Sequence, residues 1–85
     1  MSAIRVITNA KMHSRLRAII RAGGGGKFLG VLGVPRFLGQ PGYMTVYFDS
    51  PATGSTMTML VRGLTAEKVR QHLKESDAKF GILTR

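Results

Sequence analysis

The sequence YMTVYFDSPATGSTMTMLVR, residues 43–62, decides the fold, because apolar side chains alternate with Tyr and Thr on both sides of a turn. The segment 50–54, Ser-Pro-Ala-Thr-Gly, has the composition of a turn. A period of two is that of a strand with one buried face. The stretch therefore predicts an antiparallel hairpin of strands 43–49 and 56–62. The side chains expected to face the core are Met44, Val46, Phe48, Met57, Met59 and Val61.

Two helices are predicted on either side of this hairpin. Asn9 is a suitable N-cap for a helix over residues 10–22, and Thr65 caps a second helix over 66–78. Gly23 stands where a glycine commonly ends a helix. Each helix carries one apolar stripe at helical spacing. The stripes are Met12, Leu16, Ile19 and Ile20 on the first helix, and Ala66, Val69 and Leu73 on the second.

Further strands are predicted at 3–8, 27–34 and 80–84, which gives the element order β-α-β-β-β-α-β. Eighty-five residues are enough for one domain, so residues 1–85 are expected to form it. The prediction is an α+β fold, with an antiparallel sheet of three to five strands covered on one face by two helices.

The segment 23–42 is rich in glycine but also carries seven large apolar residues. We expect a strand to Val34, then an irregular loop through Gly42, with part of the segment mobile. The glycines before Lys27 do not form a nucleotide-hydrolysing phosphate loop, because Arg21 and Phe28 occupy positions where that motif has Gly and Ser or Thr. Passive phosphate binding by glycine amides beside Lys27 is left open.

The charge distribution indicates the class of partner. The net charge is +9 and the first carboxylate of the chain is Asp49. Such an excess attracts polyanions. Arginine outnumbers lysine, and its planar guanidinium fits phosphate bidentately. The chain is therefore predicted to bind nucleic acid, DNA or RNA, mainly through the phosphate backbone.

The first helix is the leading site candidate. Lys11 and Arg15, and likewise Arg17 and Arg21, are spaced i, i+4, which destabilises a helix when the charges are alike. A phosphate backbone would relieve that repulsion. The residues predicted to bind nucleic acid or an acidic partner are Lys11, Arg15, Arg17, Arg21, Lys27, Arg36 and Arg62. Tyr43 and Tyr47 are candidates for stacking on unpaired bases, or else cover one face of the sheet.

A different class of function is also open: a small modulator or inhibitor that docks on an acidic surface of a larger protein through 23–42 and the basic helix. A ribosome-associated component is a weaker alternative. A homodimer formed by strand addition is compatible with the predicted sheet. No membrane association is expected, since the apolar run Phe28–Leu38 is broken by glycine, proline and Arg36.

Catalysis finds no support in the residue pattern. His13 and His72 lie far apart, there is no cysteine, and no paired carboxylates or nucleophile-base spacing is evident. The chain is therefore predicted to be non-enzymatic, without metal or cofactor. It shows no recognisable targeting segment, so the expected compartment is the cytoplasm.

Overall fold

A computed structural model describes residues 4–34 and 42–83 of the chain. The elements are β1 (Arg5–Val6), α1 (Ala10–Ala22), β2 (Phe28–Val34), β3 (Tyr43–Asp49), β4 (Thr56–Leu60) and α2 (Ala66–Leu83). The strands form one antiparallel sheet in the order β1-β2-β3-β4. The predicted α+β fold class is confirmed.

The central hairpin has the predicted register. Val46 lies opposite Met59, and Phe48 lies opposite Met57. β4 ends at Leu60, two residues earlier than predicted, although the Val61 amide still donates a 2.9 Å hydrogen bond to the Met44 carbonyl. The alternation of apolar side chains therefore sets both the pairing and the buried face.

Both helices pack on that one face of the sheet. Val46 and Phe48 are fully buried, and Met44, Met59 and Val61 are half-buried against the same cluster. Full burial of a Val or Phe side chain contributes about 1.5–3 kcal/mol. The core thus joins α1, the sheet and α2 in a single layer of contacts. Its buried members are Leu16, Ile20, Val31, Val46, Phe48, Met57, Val69 and Leu73.

Both predicted helix caps are present. Asn9 Oδ1 accepts a 2.9 Å hydrogen bond from the Met12 amide, and Thr65 Oγ1 accepts one of 3.2 Å from the Lys68 amide. Gly23 ends α1 with an ordinary φ of −85°, whereas Gly24 takes the left-handed conformation at φ 88°. Gly23 has another role, because a Cβ there would lie 2.5 Å from the backbone oxygen of Ala66. It lets α1 and α2 approach closely.

The predicted last strand, 80–84, is wrong over residues 80–83, because α2 continues to Leu83. A short apolar run fits a helix or a strand equally well by periodicity. β1 is only two residues long, so it offers little edge for another strand to pair with. Asp77, which lies within the predicted span of the helix, accepts a hydrogen bond from Ser50 and links α2 to the turn after β3. Residue 84 lies outside the described residues.

The first part of the glycine-rich segment takes defined positions. β2 begins at Phe28, one residue later than predicted, and lies inside the sheet between β1 and β3. Before it, the Gly26 amide donates a 2.7 Å hydrogen bond to the Asp49 carbonyl. The loop predicted after Val34 lies largely outside the described residues, and the predicted mobility of 23–42 stays a prediction.

Candidate nucleic-acid interface

The four cations of α1 lie on two different flanks of the helix. Arg17 lies six residues after Lys11, so the two side chains leave the helix at directions that differ by about 240° around its axis. Lys11 and Arg15 line a groove beside β3 and the β4–α2 turn, whereas Arg17 and Arg21 line a shallow depression on the outer ridge of α1. The predicted basic helix therefore presents two separate pairs of charges.

The groove beside Lys11 and Arg15, here called the helix groove, has an apolar floor. Met44, Val61 and Leu64 supply that floor, and all three are half-buried against the core. The two cations stand on its rim and are exposed. A third positive charge, that of Lys68, lies close to the same groove. Gly63 lines the groove, and Lys68 Nζ is 3.3 Å from the position that a Cβ on Gly63 would occupy.

A second groove, the end groove, adjoins the first at one end of the sheet. It shares Met44 and Val61 with the helix groove, and it carries the cations Arg5 and Arg62. The described residues that line the two grooves include no Asp or Glu. We call the joint surface the basic groove. Its cations are Arg5, Lys11, Arg15, Arg62 and Lys68.

The other flank of α1 is turned toward Phe28. The Arg17 guanidinium lies 5.4 Å from the centroid of the Phe28 ring, a cation-π contact. The ring of His13 packs edge-on against the same phenyl ring with centroids 5.1 Å apart, and His13 Nε2 donates a hydrogen bond to the Ile7 carbonyl. Arg17 and His13 thus fasten the start of α1 to β2 and to the segment after β1.

Lys27 lies away from the basic groove, at the other end of the sheet. Its carbonyl accepts a 2.9 Å hydrogen bond from the Asp49 amide, which places the two residues opposite each other just before β2 and at the end of β3. A carboxylate on the neighbouring strand lowers the local positive potential. The structure therefore separates Lys27 from Lys11 and Arg15. Arg36 lies outside the described residues.

The two tyrosines differ in their surroundings. Both point away from the helices, but Tyr43 lines the end groove together with Arg62 and is 55% exposed. Tyr47 is half-buried against Val6, Leu29 and other apolar residues of the sheet. Tyr43 therefore lies beside a cation of the basic groove, whereas Tyr47 lies outside that groove, and the stacking role of both tyrosines stays a prediction.

The carboxylates lie apart from the basic groove. Asp77 accepts the hydrogen bond of Ser50, and Asp49 stands at the far end of β3. Glu67 and Glu75 line the outer ridge of α2, together with Arg70 and Lys74. The positive charge of the groove is consequently not neutralised by neighbouring acids.

Arg5 and Lys68 were missed by the sequence analysis. Arg5 could have been found, because in an alternating strand it shares a face with Ile7, which packs against the core beside α1. Lys68 has no such signal. Its position depends on Gly63, whose φ of 73° turns the chain between β4 and α2.

Two further features, a metal-ion site and a membrane-spanning helix, are absent from the described residues. Within residues 4–34 and 42–83, no group of three or more His, Cys, Asp or Glu side chains is placed to hold a metal ion. The helices in these ranges include none with the length and apolar character to span a bilayer. No family model, curated protein or solved structure matches the chain.

Proposed function

We propose that the protein is a small, non-enzymatic, cytoplasmic nucleic-acid-binding protein whose contacts are mainly to phosphates. The observation that carries this proposal is the basic groove: five cations around two adjoining grooves whose described lining contains no carboxylate. Such a surface concentrates anions. The sugar-phosphate backbone of a nucleic acid carries closely and regularly spaced negative charges, which a row of Lys and Arg side chains can neutralise.

The proposed contacts follow from the geometry of the groove. Three of the cations, Lys11, Arg15 and Arg62, are exposed. Their long side chains can therefore reach a phosphate without a change in the backbone. Gly63 and Leu64 bring the start of α2 to the same groove. This narrows the predicted site to one surface and leaves Arg17, Arg21 and Lys27 outside it.

Binding of this kind is dominated by counterion release and is weakly sequence-specific. If five or six phosphates are neutralised, the logarithm of the binding constant should fall with the logarithm of salt concentration at a slope of about −4 to −6. Tyr43, beside Arg62, adds a surface on which an unpaired base can stack.

The test is fluorescence anisotropy with labelled oligonucleotides, DNA and RNA, single-stranded and duplex, over a series of salt concentrations. The proposal expects a steep negative slope for at least one of them. A slope near zero, or no binding at low salt, would contradict the proposed nucleic-acid binding. A supporting observation would be purified protein that carries nucleic acid, seen as a raised absorbance ratio at 260 and 280 nm that falls after a high-salt wash.

A second candidate is a modulator that docks on an acidic surface of a larger protein. The apolar floor of the helix groove favours it, because Met44 and Leu64 offer contact area that a phosphate backbone does not use. In that case the amide hydrogen exchange of the groove residues should become slower when a protein partner is added, and should not change when oligonucleotides are added.

A further inference from the structure

The basic groove combines a rim of cations with a floor of apolar side chains. Met44 and Val61 lie where the helix groove and the end groove meet, and Leu64 continues the floor beside α1. Phosphates do not cover such a floor, because a charged group loses its hydration there without gaining a hydrogen bond. A ligand that fills the whole surface therefore carries apolar parts as well as negative charges.

The apolar part of the end groove is open to solvent. Tyr43 is 55% exposed and Leu60 is 59% exposed, and both line this groove. The groove has a volume of about 760 Å³. Sites for small molecules measure about 300–1,000 Å³ and are mostly apolar with a few polar groups. A flat ring of the size of a nucleobase therefore fits in the end groove.

Cations stand on both sides of the end groove. Arg5 lies opposite Gly33, and Gly33 lies opposite Met44. The Val61 amide donates a hydrogen bond to the Met44 carbonyl, and Arg62 follows it at the other edge of the sheet. Arg5 and Arg62 are thus separated by three strand spacings of about 4.8 Å each. The phosphates of a bound strand can meet either arginine while a base lies on the floor between them.

An unpaired strand fits this surface better than a duplex does. A duplex keeps its bases paired inside and presents phosphate, sugar and base edges to a protein. A single strand also exposes the apolar faces of its bases. The Tyr43 ring and the Arg62 guanidinium, which line the same groove, are both flat groups on which such a face can stack. An acidic peptide would match the charges but would not need two flat surfaces.

We propose, on the premise of the nucleic-acid binding proposed above, that the ligand of the basic groove is a single strand. Its phosphates contact the cations of the rim, and its unpaired bases lie on the floor between Tyr43 and Leu64. Electrostatics alone would favour the duplex, because its charges are more densely spaced along the axis. A preference for the single strand therefore reports contacts with the bases.

The experiment is fluorescence anisotropy with three labelled ligands of equal length, over a series of salt concentrations. They are a single strand, an abasic strand with the same phosphates, and a duplex. The single strand should bind at least about tenfold more tightly than either of the others, which corresponds to the stacking of one or two bases. The abasic strand should show the same salt slope as the single strand, because it makes the same phosphate contacts.

Two exposed leucines provide matched variants. Leu60→Gln removes apolar surface from the end groove without changing the charge, and it should weaken single-strand binding by about three- to tenfold. Binding of the abasic strand should not change. Leu29→Gln is the control, because Leu29 is 45% exposed and lies outside both grooves. Circular dichroism verifies that both variants are folded, and the comparison of ligands on the wild type does not depend on them.

The outcomes separate this inference from the proposed function. An abasic strand or a duplex that binds as tightly as the single strand, with a steep salt slope, would overturn the single-strand assignment and leave phosphate binding intact. An equal loss for Leu29→Gln would also overturn it. No binding of any of the three ligands would overturn both. An acidic amphipathic peptide that binds more tightly than the single strand, and is weakened by Leu60→Gln, would assign the groove to a protein partner.

Discussion

Ser50 and Asp77 join the β3–β4 turn to the second half of α2. Ser50 is fully buried, and its Oγ donates a 2.8 Å hydrogen bond to Asp77 Oδ1 across 27 residues of chain. A buried hydroxyl must have a partner, since leaving it unpaired costs about 1–3 kcal/mol. This bond therefore links α2 to the turn between β3 and β4, one residue before the predicted end of the helix.

Asp77→Ala should lower the free energy of unfolding by about 1–3 kcal/mol, because it leaves the Ser50 hydroxyl buried without an acceptor. Asp77→Asn keeps a side-chain oxygen and should cost less. Urea unfolding followed by circular dichroism measures both. Glu75→Ala is the matched control, because Glu75 accepts only an exposed 3.4 Å hydrogen bond from Gln71. An equal loss for Glu75→Ala would contradict the role given to Ser50 and Asp77.

Gly23→Ala should destabilise the protein through the contact between the two helices. The added Cβ would lie 2.5 Å from the Ala66 oxygen and 2.6 Å from the Val69 Cβ, and both are tied to the backbone of α2. Overpacking of this kind costs about 1–3 kcal/mol. The control is Gly24→Asn, since a Cβ at Gly24 meets nothing within 4 Å and Asn tolerates its φ of 88°. Thermal unfolding in which Gly24→Asn is the more harmful change would contradict this assignment.

The hairpin, the helix caps and the buried face could be predicted because their signals are local. The alternation from Met44 to Val61 is read directly from adjacent residues, as are the hydrogen-bonding side chains of Asn9 and Thr65. The strand predicted at 80–84 failed for the opposite reason. A short apolar run fits a helix or a strand equally well by periodicity, and here α2 simply continues through it to Leu83.

The basic groove was only partly predictable. Lys11 and Arg15 were identified by their spacing, but their separation from Arg17 and Arg21 follows from which side of α1 packs on the sheet. Lys68 belongs to α2, and the turn at Gly63 brings it near the groove that Lys11 and Arg15 line.

The two charge pairs of α1 provide a matched test of the groove. Lys11→Gln with Arg15→Gln should reduce the slope of the logarithmic salt dependence of nucleic-acid binding by about 2, since each phosphate contact on duplex DNA contributes about 0.9. Arg17→Gln with Arg21→Gln removes the same charge from the same helix, but from the outer ridge of α1, away from the helix groove. The slope should change little in this second variant. Equal changes in the two variants would mean that net charge, and not the groove, sets the affinity.

Substitution of the two tyrosines, one at a time, tests whether Tyr43 stacks on an unpaired base. Tyr43→Leu should weaken binding to a single-stranded oligonucleotide by roughly tenfold, because base stacking on an aromatic ring is worth about 1–3 kcal/mol and Tyr43 lies beside Arg62 in the end groove. Tyr47→Leu should not weaken it, since Tyr47 is half-buried beside Val6 and Leu29 and lies outside the basic groove. Duplex binding should be unaffected in both variants, because paired bases are not free to stack on a side chain. Anisotropy titrations at one salt concentration measure all four cases. An equal loss for Tyr47→Leu on the single strand would instead place the bound bases across the side of the sheet that faces away from the helices.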